Sequence, residues 1–178
     1  KLHAPNWFIE NQDGSKNPHD EIDNPFRSAE VLQAHVDEGL HYARKNRLPK
    51  PIANFIPEHQ GTLKMGYFFQ KAKEKNLKIN ENDFRYKGPI PQSKETAILM
   101  LADGCEAALR AMNINATDKE ALETISKIIY SRQQDGQLND SNLSKGEIFL
   151  IKRSFLNVWK RIRHRRIQYP TSKNNTFS

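Results

Sequence analysis

The sequence predicts an all-α fold, and three observations predict it. Apolar residues recur at three- and four-residue steps through most of the 178 residues. Two helical stretches open on a hydroxyl residue with an acid three positions on, the pattern of a capping box. Runs of alternating apolar and polar residues, the mark of a half-buried strand, are nearly absent. The length suffices for one domain with a real core. With 37% hydrophobic and 28% charged residues, the chain is polar but too rich in Leu, Ile and Phe to be wholly disordered.

The elements follow in order. Residues 1–24 are rich in Asn, Asp, Pro and Gly and read as an irregular loop. A helix is expected from Pro25, a residue suited to a first helical position, to Asn46. It carries Val31, His35 and Tyr42 on one side, with Leu32, Val36 and Leu40 beside them, and Leu48-Pro49 ends it. A short helix is expected to place Ile52, Phe55, Ile56 and His59 on one face. A third covers Leu63 to Lys75. Residues 76–92 read as a loop with a Gly-Pro-Ile-Pro turn. The strongest helix, Ser93 to Met112, has Ile98, Leu101, Ala102, Cys105, Leu109 and Met112 as its apolar stripe. The next begins at Thr117, boxed by Glu120, with Ile125, Ile128 and Ile129 facing inward, and Asp135-Gly136 forms a turn. The last runs from Ser144, with Glu147 three residues on, to Arg166. Its expected core face is Ile148, Ile151, Phe155, Val158, Trp159 and Ile162. The final segment, residues 171–178, is expected to be disordered.

Composition excludes several function classes. The single cysteine, Cys105, rules out an internal disulfide, and its apolar surroundings suit a small buried hydrophobe. No apolar run is long enough to cross a membrane. The net charge is +7, but residues 145–178 hold nine Lys and Arg against one acid, whereas the remaining 19 basic and 20 acidic residues nearly cancel. The basicity is a property of the last helix. Its ordinary reading is a solvated face, with contact to anionic lipid headgroups or to nucleic acid as the sharper readings.

Three polar residues fall where an all-α core prefers carbon: His35 in VLQAHV, His59 at the end of IANFIPEH, and Asp103 in ILMLADGCEAAL. Each has an ordinary reading. A lone helical histidine is usually a packing or surface residue, and Asp103 could pair with Arg110 or Lys94. Taken together, they are a donor set that a divalent cation would satisfy, because neutral imidazole and carboxylate suit Mn, Fe or Zn.

The stretches PNWFIENQ (5–12), NPHD (17–20), SAEVLQAHVDEG (28–39), IPEHQGT (56–62), FFQKAKE (68–74), DFRYKGPIPQSKETAILMLADGCEAA (83–108), DGQL (135–138) and RIQYP (166–170) run in order through almost the whole chain. Together they resemble the HD-domain phosphohydrolases, specifically the branch with a seven-helix membrane region and cyclic di-AMP phosphodiesterase activity. The resemblance implies an HD-domain-like helical bundle over residues 1–170. It implies His35 as the metal-binding histidine of the family's S-H-V segment, His59 as the first histidine of E-H-H-G-T, and Asp103 as the aspartate of M-L-A-D that closes the site. His19 lies in N-P-H-D, with a loop-ordering or second-shell role. Lys71, Arg85 and Lys94 are candidates to hold the phosphates or bases of the substrate, set against the reading of plain surface charge.

Two departures accompany the resemblance. The His-Asp pair that names the superfamily is absent, and Lys1 resembles the lysine that follows it, so the chain is expected to start just downstream of the pair and, alone, to be inactive. The second histidine of E-H-H-G-T is Gln60, a poor metal ligand able to hydrogen-bond near the site. The implied cofactors are divalent ions, Mn or Fe, two in the complete domain. The implied reaction opens cyclic di-AMP to linear pApA at the cytoplasmic face of the cell membrane, where a segment upstream anchors the parent protein. No nucleic-acid partner is expected. The alternative is a degenerate, non-catalytic HD domain that binds or senses nucleotide.

Overall fold

The structure, a computed structural model, describes Trp7 and residues 17–75 and 77–166, the last three as backbone only. The expected disordered tail and most of the first loop lie outside the described residues. Among the described residues eight α-helices carry the fold: α1 (Pro18–Ile22), α2 (Pro25–Lys45), α3 (Lys50–Ala53), α4 (Phe55–Glu58), α5 (Gly66–Glu74), α6 (Lys94–Arg110), α7 (Asp118–Gln134) and α8 (Lys145–Arg166). A 3₁₀ turn covers Glu81–Phe84. Among the described residues there is no strand, only an isolated antiparallel bridge between Lys64 and Arg85, so the all-α expectation holds.

Local chemistry sets the boundaries. The Asn17 side chain accepts from His19 N–H, and Pro18 supplies the first helical φ, so NPHD forms the short helix α1 rather than loop. Asn24 caps α2 by accepting from Phe26 and Arg27 N–H at 3.1 and 3.2 Å. The helix expected through residues 52–59 is instead two, α3 and α4. Pro57 has no N–H to donate to Ala53 four residues back, so the helical ladder breaks there. The third helix begins only at Gly66, because Leu63 and Met65 are tied to the segment 84–86: Met65 N–H donates to Phe84 O and Tyr86 N–H to Leu63 O. Both expected caps form, Thr117 with Glu120 and Ser144 with Glu147.

The core has two parts. Helices α6, α7 and α8 enclose Met100, Leu101, Cys105, Ile125, Ile129 and Ile148 with their neighbours. The second part lies between α2, α5 and the 3₁₀ turn, around Ala29, Phe68, Ala72 and Phe84. Short α4 joins them by touching both α2 and α6. Several expected core positions are exposed. Ile52 and Ile98 face outward, and on α8 Val158 and Ile162 are 53% and 47% exposed. This stretch of α8 runs beside the α6–α7 connection, where Arg163 donates to the Ala116 and Ile114 carbonyls and Lys160 pairs with Asp118. Val158 and Ile162 border an open groove of about 410 Å³ with Leu109, Met112 and Trp159.

Candidate functional site

His35 and His59 come together, from α2 and from the C-terminal end of α4. His35 Nδ1 is 2.5 Å from its own-turn carbonyl, Leu32 O. His59 Nδ1 is 2.7 Å from Ile56 O and 3.2 Å from Phe55 O. A carbonyl only accepts, so in each ring the Nδ1 carries the proton and Nε2 presents a lone pair. The two Nε2 atoms face each other at 3.4 Å. Two lone pairs at that distance repel unless a proton or cation lies between them. Imidazoles whose Nδ1–H is fixed by backbone carbonyls are the arrangement of metal-binding histidines.

Buried polar anchors on both sides hold His59 in place. Glu58, 2% exposed, accepts from Thr96 Oγ–H at 2.6 Å and Gln92 N–H at 2.8 Å, tying α4 to the start of α6. Downstream, Gln137, 1% exposed, accepts from Thr62 N–H at 3.0 Å and donates to Thr62 Oγ at 2.8 Å. Between them Gly61 adopts φ +52, and a Cβ there would lie 2.5 Å from Gln137 Oε1. The turn 58–62 therefore requires glycine and is clamped at each end. Sequence reasoning assigned no role to Glu58 or Gln137. The signals were present, a carboxylate preceding His59 and the DGQL stretch, but their partners are 34 to 75 residues away.

Asp103 corrects the expectation of a buried carboxylate, because it is exposed. The stripe Met100, Leu101, Cys105 and Leu109 turns inward, which leaves Asp103 one turn beyond Leu99 on the outer face of α6. It pairs with neither Arg110, which binds Glu106, nor Lys94, which binds Glu147. Its charge instead reaches Tyr86 and Arg132. Burial, and then Asp103, pushes the Tyr86 phenol above its ordinary value. Burial draws the Arg132 guanidinium down, opposed by Asp135, Cys105 and Asp103. Tyr86 in turn meets the His35 ring edge-on at 6.0 Å. Among the described residues no three His, Cys, Asp or Glu side chains gather closely enough to hold an ion. The imidazole pair fits part of a metal's ligand set.

The other expected residues lie apart or are committed. Lys71 bonds Asp20 and Asp23, joining α5 to α1, and Lys94 bonds Glu147. Both fit the surface-charge reading. Arg85 lies beside Tyr86 and binds Glu81, Asp135 and the Thr62 carbonyl. His19, 6% exposed, donates from Nε2 to Trp7 O at 2.9 Å and packs between Trp7 and Phe68, a loop-ordering position. Gln60 lies next to His59, half-buried, and its carbonyl accepts from Leu63 N–H.

No protein-family model matches the chain. Individual relatives do. An uncharacterised protein of Synechocystis, slr0104, is 46% identical over 175 residues, which is 96% of this chain and 22% of that protein. Cyclic-di-AMP phosphodiesterase PgpH of Bacillus subtilis is 38% identical over 170 residues, 96% of this chain and 24% of that protein. The chain thus spans about a quarter of the length of the curated relatives it matches. The crystal structure of the Listeria monocytogenes PgpH HD domain in complex with cyclic-di-AMP superposes with a TM-score of 0.86 at 36% identity, covering 91% of this chain and 75% of that domain. The facing imidazoles, the helical scaffold and these likenesses agree: the chain belongs to the family of the PgpH HD domain, the HD-domain cyclic-di-AMP phosphodiesterases.

Proposed function

We propose that this chain is part of a metal-dependent phosphodiesterase that hydrolyses cyclic di-AMP to linear pApA. The observation that carries the reading is the facing Nε2 pair of His35 and His59, with each Nδ1–H fixed by a backbone carbonyl. The ligands that the chain brings together for a divalent ion, Mn or Fe, are His35 and His59; Asp103 is the carboxylate that the family pattern adds, although it does not gather with the pair among the described residues. The complete domain holds two ions, the further ligands coming from outside the described residues. When bound, such ions acidify water and offset phosphodiester charge. The chain's own residues do the positioning. Leu32 and Ile56 carbonyls fix the imidazole tautomers, Glu58 and Gln137 hold the His59 turn rigid, and Arg85 ties that turn to the Tyr86 segment. The substrate is supported by the solved relative, which was crystallised with cyclic-di-AMP.

The same reading places the protein at the cytoplasmic face of the cell membrane, anchored by a segment outside this chain. No described helix is long and apolar enough to cross a membrane. Gln60, where the family pattern has a second histidine, favours a second reading, in which the domain binds cyclic dinucleotide without cleaving it.

The test is chromatographic assay of cyclic di-AMP hydrolysis with Mn²⁺ by the full-length protein beside its Asp103→Ala variant. Turnover to pApA that disappears with Asp103→Ala supports the phosphodiesterase. Nucleotide binding without turnover by the folded protein supports the sensing reading.

A further inference from the structure

Tyr86 was not singled out by sequence, yet it stands where the two parts of the core and the histidine pair meet. Its N–H donates to Leu63 O at 3.0 Å, next to the Lys64–Arg85 bridge. The residue is therefore fixed by backbone to the segment that follows the His59 turn. Its ring packs against both apolar clusters and leans edge-on against His35, centroids 6.0 Å apart at 78°. It also lines an open cavity of about 670 Å³ with Gln33, Thr62, Arg85 and Lys87.

The polar neighbours in that cavity are committed. Gln33 donates to Asp83 O and Arg85 O. Arg85 is held by Glu81, Asp135 and Thr62 O. Lys87 bonds Asp37. The Tyr86 hydroxyl differs: no hydrogen bond to it occurs among the described residues. Tyr86 is half-buried, and its hydroxyl is not among the buried side-chain atoms left without a partner, so it is open to solvent and free to meet a ligand. Asp103, whose charge reaches this phenol, makes no hydrogen bond with it.

We propose that the Tyr86 hydroxyl is a substrate-contacting donor, which hydrogen-bonds a non-bridging phosphoryl oxygen of the phosphodiester held at the His35–His59 pair. The assignment rests on the phosphodiesterase reading. A neutral donor on a rigid wall suits an oxygen whose negative charge must be stabilised without reorganisation, and a single such donor is worth roughly 10²–10³ in rate where it meets developing charge.

The test uses the full-length protein with Mn²⁺ and its Tyr86→Phe variant, which keeps the ring and its packing. The expected result is a fall in kcat of about 100- to 1000-fold, with metal content and melting temperature unchanged. A second readout uses the Rp and Sp phosphorothioates of cyclic di-AMP. Sulfur accepts hydrogen bonds poorly, so the wild-type protein should show a thio effect on one diastereomer that shrinks about tenfold in Tyr86→Phe. Unchanged kcat, loss of metal alongside activity, or identical thio effects in both proteins would overturn the assignment. If the wild-type protein does not turn over cyclic di-AMP, the phosphodiesterase reading fails by itself. Calorimetric affinity for cyclic di-AMP then decides the hydroxyl's role: weaker binding by Tyr86→Phe supports the contact, and equal binding or no binding by either protein overturns it.

Discussion

His35 Nε2 and His59 Nε2 stand 3.4 Å apart, each on a ring whose other nitrogen donates to a backbone carbonyl. The pair is built by two unrelated local devices, a mid-helix turn of α2 and the end of α4, and a cation between them would relieve their mutual repulsion. His35→Ala and His59→Ala are each expected to weaken Mn²⁺ binding to the full-length protein by about 100-fold or more, since even outer-sphere partners of such ligands are worth 10–100-fold. The double variant should bind little worse than either single one, because the two imidazoles act as a unit. Calorimetric titration with Mn²⁺ measures this, and full-strength binding by either variant would remove the pair from the metal site.

The clamps on the His59 turn predict stability effects. Glu58→Ala removes the buried acceptor shared by the Thr96 hydroxyl and the Gln92 N–H, leaving Thr96 its bond to Ser93 O, and should cost about 1–3 kcal/mol by urea denaturation. Gly61→Ala forces a methyl into left-handed backbone against Gln137 and Met100, and should cost at least about 1–3 kcal/mol. Both should also weaken Mn²⁺ binding, because each displaces His59. A variant that loses stability but keeps its metal affinity would show that the turn does not set the ligand.

These clamps also mark how much of the molecule the sequence makes legible. The caps at Thr117 and Ser144 formed as read because their partners lie three residues away. The capping of α1 by Asn17 is equally local, but it was hidden in a loop-rich composition. The break before α4 follows from one missing proline N–H, which apolar periodicity does not register. His35 and His59 were legible because the resemblance carried them, and their meeting depends on α4 packing against α2. Glu58, Gln137 and Tyr86 were not legible, since what defines each is a partner tens of residues distant. Asp103 was read as buried because ILMLADGCEAAL is almost uniformly apolar, and a uniform run conceals which face of a helix turns outward. Val158 and Ile162 failed as core residues for a tertiary reason: periodicity predicts a face and says nothing about whether anything covers it.

His19 predicts a pH dependence. Its burial lowers its pKa below 6.5, more than Asp20 and the Trp7 carbonyl raise it. The unfolded chain therefore takes up a proton, as pH falls through about 6.5, that the folded chain refuses. Stability should decline with acidification from about pH 6.5 down to the lowered folded value and gain no further slope from this group below it. One proton limits that slope to about 1.4 kcal/mol per pH unit. His19→Gln should flatten it in urea denaturation from pH 5 to 7.5. An unchanged slope in the variant would show that other groups govern this window.

Glu147 offers a check on electrostatics away from the site. Lys94, together with the Ser144 backbone and hydroxyl, holds its carboxyl at about 2. Carbon-detected NMR titration should find it ionised throughout the range in which ordinary glutamates protonate. Lys94→Ala should raise its midpoint while the Ser144 bonds keep it below 4.5. Overall stability should barely change, because the pair is at the surface. A midpoint near 4.5 in the wild-type protein would refute the pairing.

Gln60 separates the two functional readings most sharply. It follows His59 directly, and its side chain makes no hydrogen bond among the described residues, so an imidazole could replace it without breaking an internal contact. An amide is a poor ligand beside imidazole, because its oxygen is neutral and weakly basic. Gln60→His should therefore raise the bound Mn²⁺ per protein, or tighten the weaker of two binding steps, with no loss of stability. If the wild-type protein binds cyclic di-AMP without cleaving it and Gln60→His gains turnover, the amide is what keeps the domain silent. If wild type already turns over and Gln60→His adds neither metal nor rate, residue 60 lies outside the second site, and the ions are held by groups elsewhere in the longer protein. Elemental analysis of the two purified proteins, paired with the hydrolysis assay, separates these outcomes.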